Sequence, residues 1–143
     1  MRVIVFGGAG FLGSYVVDEL MLQNHEVTVF DIKKSPYIND GVSQIMGDIL
    51  DVKAVRDAVT GQDAIYNFAG LADLNDSIDK PVATIQYNVL GNLNILEAAR
   101  KEGVDRFLYA SSVYVFSRKG AFYGTSKKSS ELIVEKYGEQ FDL

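Results

Sequence analysis

The chain has 143 residues, a length that one domain fills, and its 48% apolar and 23% charged residues match an ordinary globular protein with a buried core. Nineteen acids against fourteen bases give a net charge of -5, a field that repels polyanions and argues against a nucleic-acid binder held by phosphate contacts. There is no cysteine, which excludes a disulfide, a thiolate metal site and a cysteine nucleophile, and no metal site is expected.

The opening run Met1 to Phe6 carries one basic residue and an apolar stretch, but Gly7, Gly8 and Gly10 cut it short. It reads as a buried strand rather than a signal peptide, and no apolar run is long enough to cross a bilayer. No membrane partner is therefore expected, and a cytoplasmic location is favoured by default. An amphipathic stretch from Phe11 to Leu22 follows as a first helix, with Asn24 as a left-handed cap at its end. The only histidine, His25, falls at the helix-to-strand corner and is expected to be a solvated surface residue. Glu26 to Phe30 is a second strand, Ser43 to Met46 a weak third, Val52 to Val59 a short helix and Ala64 to Phe68 a fourth strand. Pro81 suits the first turn of a helix, and Ile85, Val89, Leu93, Leu96 and Ala99 then mark one helical face. Arg106 to Ala110 is a fifth strand, and a last helix runs from about Tyr123 to Tyr137. Strands alternating with helices predict an α/β fold, a doubly wound parallel sheet covered on both faces in three α/β/α layers.

The segment Gly7-Gly8-Ala9-Gly10-Phe11-Leu12-Gly13 follows the first strand and opens the first helix. It satisfies G-x-G-x-x-G, the pattern in which glycines allow a tight turn, a close approach to a pyrophosphate and close helix–strand packing. The helix N-terminus behind it offers free N–H groups and partial positive charge to an anion. Asp31 ends the second strand, eighteen residues beyond Gly13. A carboxylate there accepts hydrogen bonds from ribose hydroxyls and repels a 2′-phosphate, which favours NAD over NADP. Lys33 and Lys34 follow and could accommodate a phosphate instead.

Further motifs stand in one order along nearly the whole chain: Gly47-Asp48-Ile49, Asn67-Phe68-Ala69-Gly70-Leu71, Asn88-Val89-Leu90-Gly91-Asn92, Tyr109-Ala110-Ser111-Ser112 and Tyr123-Gly124-Thr125-Ser126-Lys127. With the glycine loop they resemble the extended short-chain dehydrogenase/reductase family, its NAD-dependent epimerase/dehydratase type, and above all its nucleotide-sugar 4-epimerases. The resemblance implies a Rossmann domain over 1–143 with NAD as cofactor and a nucleotide sugar as substrate. The cofactor-binding residues it implies include Gly7, Gly10, Phe11, Leu12, Gly13 and Asp31. Asp48 and Ile49 would flank the adenine. Phe68, Ala69 and Gly70 would line the cofactor groove, and Asn88 is either a buried polar residue facing the cofactor or an edge residue. Tyr123 and Lys127, four apart, share a helical face. A nearby ammonium and an oxidised nicotinamide ring favour the phenolate, so Tyr123 would be the base, with Lys127 also bonding the nicotinamide ribose. Ser112 would orient the reacting oxygen, with Ser111 the lesser candidate. The implied reaction oxidises the sugar at C4 to a keto-sugar and reduces it again on the other face.

The departures from that pattern are equally specific. Val113 and Tyr114 stand where sugar dehydratases carry an Asp-Glu pair, which tells against dehydration. Ala72 replaces an epimerase-like lysine, Ser117 replaces a glycine, and the segment from Ser117 to Tyr123 is short, so the substrate-side loop is altered. Arg118 and Lys119 in that loop could meet a phosphate, although a solvated loop is the simpler reading. The chain stops at Phe141-Asp142-Leu143, where the family continues, so a form without the C-terminal substrate domain is expected. A homodimer through the long helices is the expected partner arrangement. Two rivals remain open: an NAD(P)-dependent reductase or dehydrogenase of the same family, and a dinucleotide-binding module without catalysis.

Overall fold

A computed structural model describes residues 1–39 and 41–143. Its elements in chain order are β1 (Arg2–Phe6), α1 (Phe11–Leu22), β2 (Glu26–Asp31), β3 (Ser43–Met46), α2 (Val52–Val59), β4 (Ala64–Asn67), α3 (Leu74–Asp79) and α4 (Pro81–Ile85). A π-helical turn (Gln86–Gly91), α5 (Asn92–Glu102), β5 (Arg106–Tyr109), two 3-10 turns (Val113–Phe116 and Arg118–Gly120) and α6 (Ala121–Phe141) complete it. All strand pairs are parallel, in the order β3-β2-β1-β4-β5. Val3 lies beside Val27 on one side and Ala64 on the other, and Phe6 beside Phe30 and Asn67.

The pleat of β1 sorts its apolar residues onto two faces. Ile4 and Phe6 join Phe30 and Ile65 against Val55 and Val59 of α2 and Ile95 and Ala99 of α5. Val3 and Val5 join Val27 and Val29 against Val17 and Leu20 of α1. Strands buried on both sides explain the continuous apolar runs. The result is the three-layer, doubly wound Rossmann architecture that the sequence predicts. Asp51 caps α2, accepting the Lys53 and Ala54 N–H groups at 3.0 Å each. Glu97 of α5 accepts from Arg100 and from the Tyr137 hydroxyl at 3.1 Å, which ties α5 to α6, and its carboxyl is held down at about 2, chiefly by Arg100. Among the described residues no helix is long and apolar enough to cross a membrane, and no group of three or more His, Cys, Asp or Glu could hold a metal ion.

Several expectations need correction. Helix α3 escapes the sequence pattern, since its six residues carry only one apolar pair, Leu74 and Ile78. It is set by Asp73, which accepts the Asp76 N–H at 2.9 Å. The single face from Ile85 to Ala99 does not hold, because the π-turn interrupts it. Ile85 is 39% exposed, while Asn88, Asn92 and Ile95 are buried. The last helix is longer than expected, starting at Ala121 and ending at Phe141. His25 is half-buried, its Nδ1 lying 3.4 Å from the terminal amino group, whereas Asn24 takes the expected left-handed conformation at φ 60°.

Candidate active site

The glycine loop is wedged between two walls. Gly7 has φ +74°, and a methyl group there would lie 2.7 Å from the Ala69 nitrogen. A methyl group at position 13 would lie 2.3 Å from the Gly7 carbonyl oxygen, so α1 seats directly on the strand exit. The Gly10 N–H donates to that carbonyl at 3.0 Å, and Gly10 caps α1 without a side chain. The N–H groups of Phe11, Leu12 and Gly13 have no hydrogen-bond partner among the described residues. Three free donors at the positive end of a twelve-residue helix with no acid in its first turn form an anion seat.

Asp31 stands beside this seat. One carboxylate oxygen accepts the Ala9 N–H at 3.1 Å and the other the Lys33 N–H at 3.4 Å, leaving a lone pair on each for a further donor. Lys33 and Lys34 are exposed. Two cavities flank the loop. One, of about 330 Å³, is lined by Asp31, Gly47, Ile49, Ala69 and Tyr87 among others. The other, of about 380 Å³, is lined by Leu12, Gly13, Ser111, Tyr123 and Lys127 among others. Both include Gly7, Gly10, Phe68, Gly70 and Leu71, so they form two lobes of one groove over the loop. The groove crosses the carboxyl ends of β1 and β4, where the strand order reverses, the usual ligand crevice of such sheets.

Beside the first lobe, between its lining residues Gly47 and Ile49, Asp48 accepts the Leu50 N–H at 2.9 Å and the Tyr87 hydroxyl at 3.2 Å. The Asp48 charge pushes the Tyr87 phenol above its ordinary pKa, so Tyr87 remains a donor. In the second lobe, Tyr123 and Lys127 are both buried, at 9% and 6% exposure. The Lys127 ammonium donates to the Ala110 carbonyl at 2.8 Å and lies 4.7 Å from the Tyr109 ring centre and 5.9 Å from that of Tyr123. No carboxylate pairs with it among the described residues, and burial lowers its pKa to about 8. Burial also pushes the Tyr109 phenol up to about 12.

The two serines make different contacts. Ser112 caps the first 3-10 turn, its oxygen accepting the Tyr114 N–H at 3.3 Å, which leaves its own O–H to donate. Ser111 lines the groove and donates to Glu131 at 2.5 Å. Glu131 was not singled out from the sequence, although it follows Lys127 by four residues on the same helical face. Asn88 is buried and committed within the protein. It accepts the Leu71 N–H at 2.7 Å and donates to the Leu71 carbonyl and the Ser126 hydroxyl, both at 2.9 Å. Both its N–H donors are used, so it braces Leu71 against α6 and has none left for a ligand.

The model of the NAD dependent epimerase/dehydratase family matches residues 3–143. The chain belongs to this family. It is 36% identical over 119 residues to a 2-alkyl-3-oxoalkanoate reductase of Stenotrophomonas maltophilia, covering 82% of this chain and 35% of that one. It is 34% identical over 128 residues to a UDP-glucose 4-epimerase of Pasteurella multocida, covering 81% and 38%. The crystal structure of the Thermus thermophilus UDP-glucose 4-epimerase in complex with NAD superposes with a TM-score of 0.92 at 32% identity, over 100% of this chain and 52% of that one. The chain thus spans between about a third and a half of the length of these relatives. Within the epimerase/dehydratase family the cofactor is NAD, and the free amides, Asp31 and the two-lobed groove fit a dinucleotide.

Proposed function

We propose that the groove holds NAD and that the chain is the cofactor-binding and catalytic part of a nucleotide-sugar 4-epimerase. The observation that carries this reading is the placement of Tyr123 and Lys127 on the wall of a lobe that shares the glycine loop with the Asp31 lobe. The amides of residues 11–13 would hold the pyrophosphate, Asp31 the adenosine ribose, and Asp48 and Ile49 the adenine. When bound, NAD supplies a reversible hydride acceptor. Tyr123 takes the proton of the sugar C4 hydroxyl as that carbon becomes a carbonyl, and returns it when the keto-sugar is reduced on its other face. Lys127 favours the phenolate by its charge, and the two donors that Ala110 leaves free are available to the nicotinamide ribose. The free O–H of Ser112 would orient the reacting oxygen.

The test is conversion of UDP-galactose to UDP-glucose, followed by NMR with NAD present, for wild type and Tyr123→Phe. Wild type is expected to convert the sugar without net change in NADH absorbance. Tyr123→Phe is expected to lose at least about a hundredfold in rate, the scale of a general base, while still binding NAD in calorimetry. Full turnover in Tyr123→Phe would remove Tyr123 as the base. A net rise or fall of NADH would instead favour a reductase or dehydrogenase. That second reading draws on the 36% identity to the oxoalkanoate reductase and on Ala72 and the short substrate-side loop. Pairing of two copies through the long helices is supported by the exposed apolar residues Val82, Ile85 and Phe122, which surround a further cavity of about 330 Å³.

A further inference from the structure

Tyr87 lines the first lobe and not the lobe of Tyr123 and Lys127, and it matches none of the motifs picked out in the sequence. It sits in the π-turn next to Asn88, and the two neighbours hold different segments around the groove. Asn88 grips Leu71 and Ser126, whereas Tyr87 reaches Asp48. The same stretch of helix holds the Gly47–Asp51 segment by two more contacts. Asn94 donates to the Ile49 carbonyl at 3.0 Å. Gly91 leaves room for the Ile49 side chain, whose Cδ1 would lie 2.5 Å from a methyl group there. Asp48 is therefore fixed from two sides, by the Leu50 N–H on one oxygen and by the Tyr87 hydroxyl on the other. Each oxygen keeps one lone pair for an outside donor. Tyr87 also lines the lobe itself, alongside Ile49.

We infer that Tyr87 is a positioning residue that aims the Asp48 carboxylate at the 6-amino group of the adenine and so sets the groove's preference for adenine over a 6-oxo purine. The inference rests on the dinucleotide reading above. A 6-oxo purine presents a carbonyl where adenine presents donors, and a fixed carboxylate repels it. A carboxylate freed from Tyr87 can turn away, and the discrimination falls.

Calorimetry with NAD, its hypoxanthine analogue and nicotinamide mononucleotide tests this, on wild type, Tyr87→Phe, Asp48→Asn and the double variant. Wild type is expected to prefer NAD to the hypoxanthine analogue by about tenfold or more, the scale of a hydrogen bond to a charged group. Tyr87→Phe keeps the ring and its packing. It is expected to reduce that ratio by about threefold to tenfold while leaving mononucleotide binding unchanged. In the Asp48→Asn background, Tyr87→Phe is expected to change the ratio no further. An unchanged ratio in Tyr87→Phe, or an equal effect with and without Asp48, would overturn the inference. Equal loss of all three ligands in Tyr87→Phe would assign it a purely structural role and overturn it as well. Asp48→Asn retains the backbone and supplies an independent measure of the ratio should Tyr87→Phe fold poorly. Absence of binding to wild type would overturn the dinucleotide reading itself.

Discussion

Lys127 carries a positive charge into a largely buried position with one carbonyl and two ring faces for company. Its pKa falls from an ordinary 10.5 to about 8, so keeping it charged at neutral pH costs the fold roughly 3 kcal/mol. Lys127→Met removes that penalty together with a hydrogen bond of about 1 kcal/mol. The variant is therefore expected to be more stable at pH 7 by about 1–2 kcal/mol in urea unfolding, and inactive. The sign with pH follows from the depressed folded value. Unfolded lysine keeps its proton up to about 10.5, whereas the folded protein releases it near 8, so wild-type stability rises between those values. The advantage of Lys127→Met should be full below pH 8 and gone by about pH 10.5. An advantage that does not change with pH would show that packing, and not charge, is responsible.

At the scale of elements, the sequence was legible wherever one local rule acted without competition. The boundaries of α1, β3 and α2 follow directly from apolar spacing and turn residues. The glycine loop and Asp31 were legible because backbone geometry dictates their residue types. Tyr87 and Glu131 were hidden because their partners, Asp48 and Ser111, lie 39 and 20 residues away and only the fold brings them together. The π-turn was hidden because its extra residue leaves no mark on composition. That Ser117 and Tyr123 stand close together shows in the sequence, but the path of the chain from Ser112 to Tyr123 does not. Two 3-10 turns fill it, and Ala121 begins α6 at φ 46° and ψ −144°, a conformation that L-residues rarely adopt. Such a residue stores on the order of 1–3 kcal/mol. Ala121→Gly should therefore raise stability by about 1 kcal/mol in urea unfolding, after the entropy that glycine costs in the unfolded chain. A loss of stability would show that the strain is relieved elsewhere.

At the scale of the whole molecule, the groove is a seam. The glycine loop, the segment after β3, the Phe68–Leu71 stretch and α6 all line it. A ligand that bridges them should stabilise the entire domain. NAD at a hundred times its dissociation constant should add about 2.7 kcal/mol and raise the melting temperature accordingly. NADP should add less if Asp31 faces its 2′-phosphate as proposed, and in Asp31→Ala the gap between the two should close. An equal shift from both coenzymes in wild type would remove Asp31 as the discriminating group. The π-turn has one more consequence at this scale. It fixes the rotational phase between the helical segments on either side, much as a keyed coupling joins two shafts. Its wide turn absorbs one extra residue, so deleting one residue from Gln86–Gly91 would let it relax to an ordinary α-turn with α5 kept in phase. Ile95, Leu96 and Ala99 would then stay on the sheet and the domain should still fold, whereas Tyr87 and Asn88 would lose their separate aims at Asp48 and Ser126.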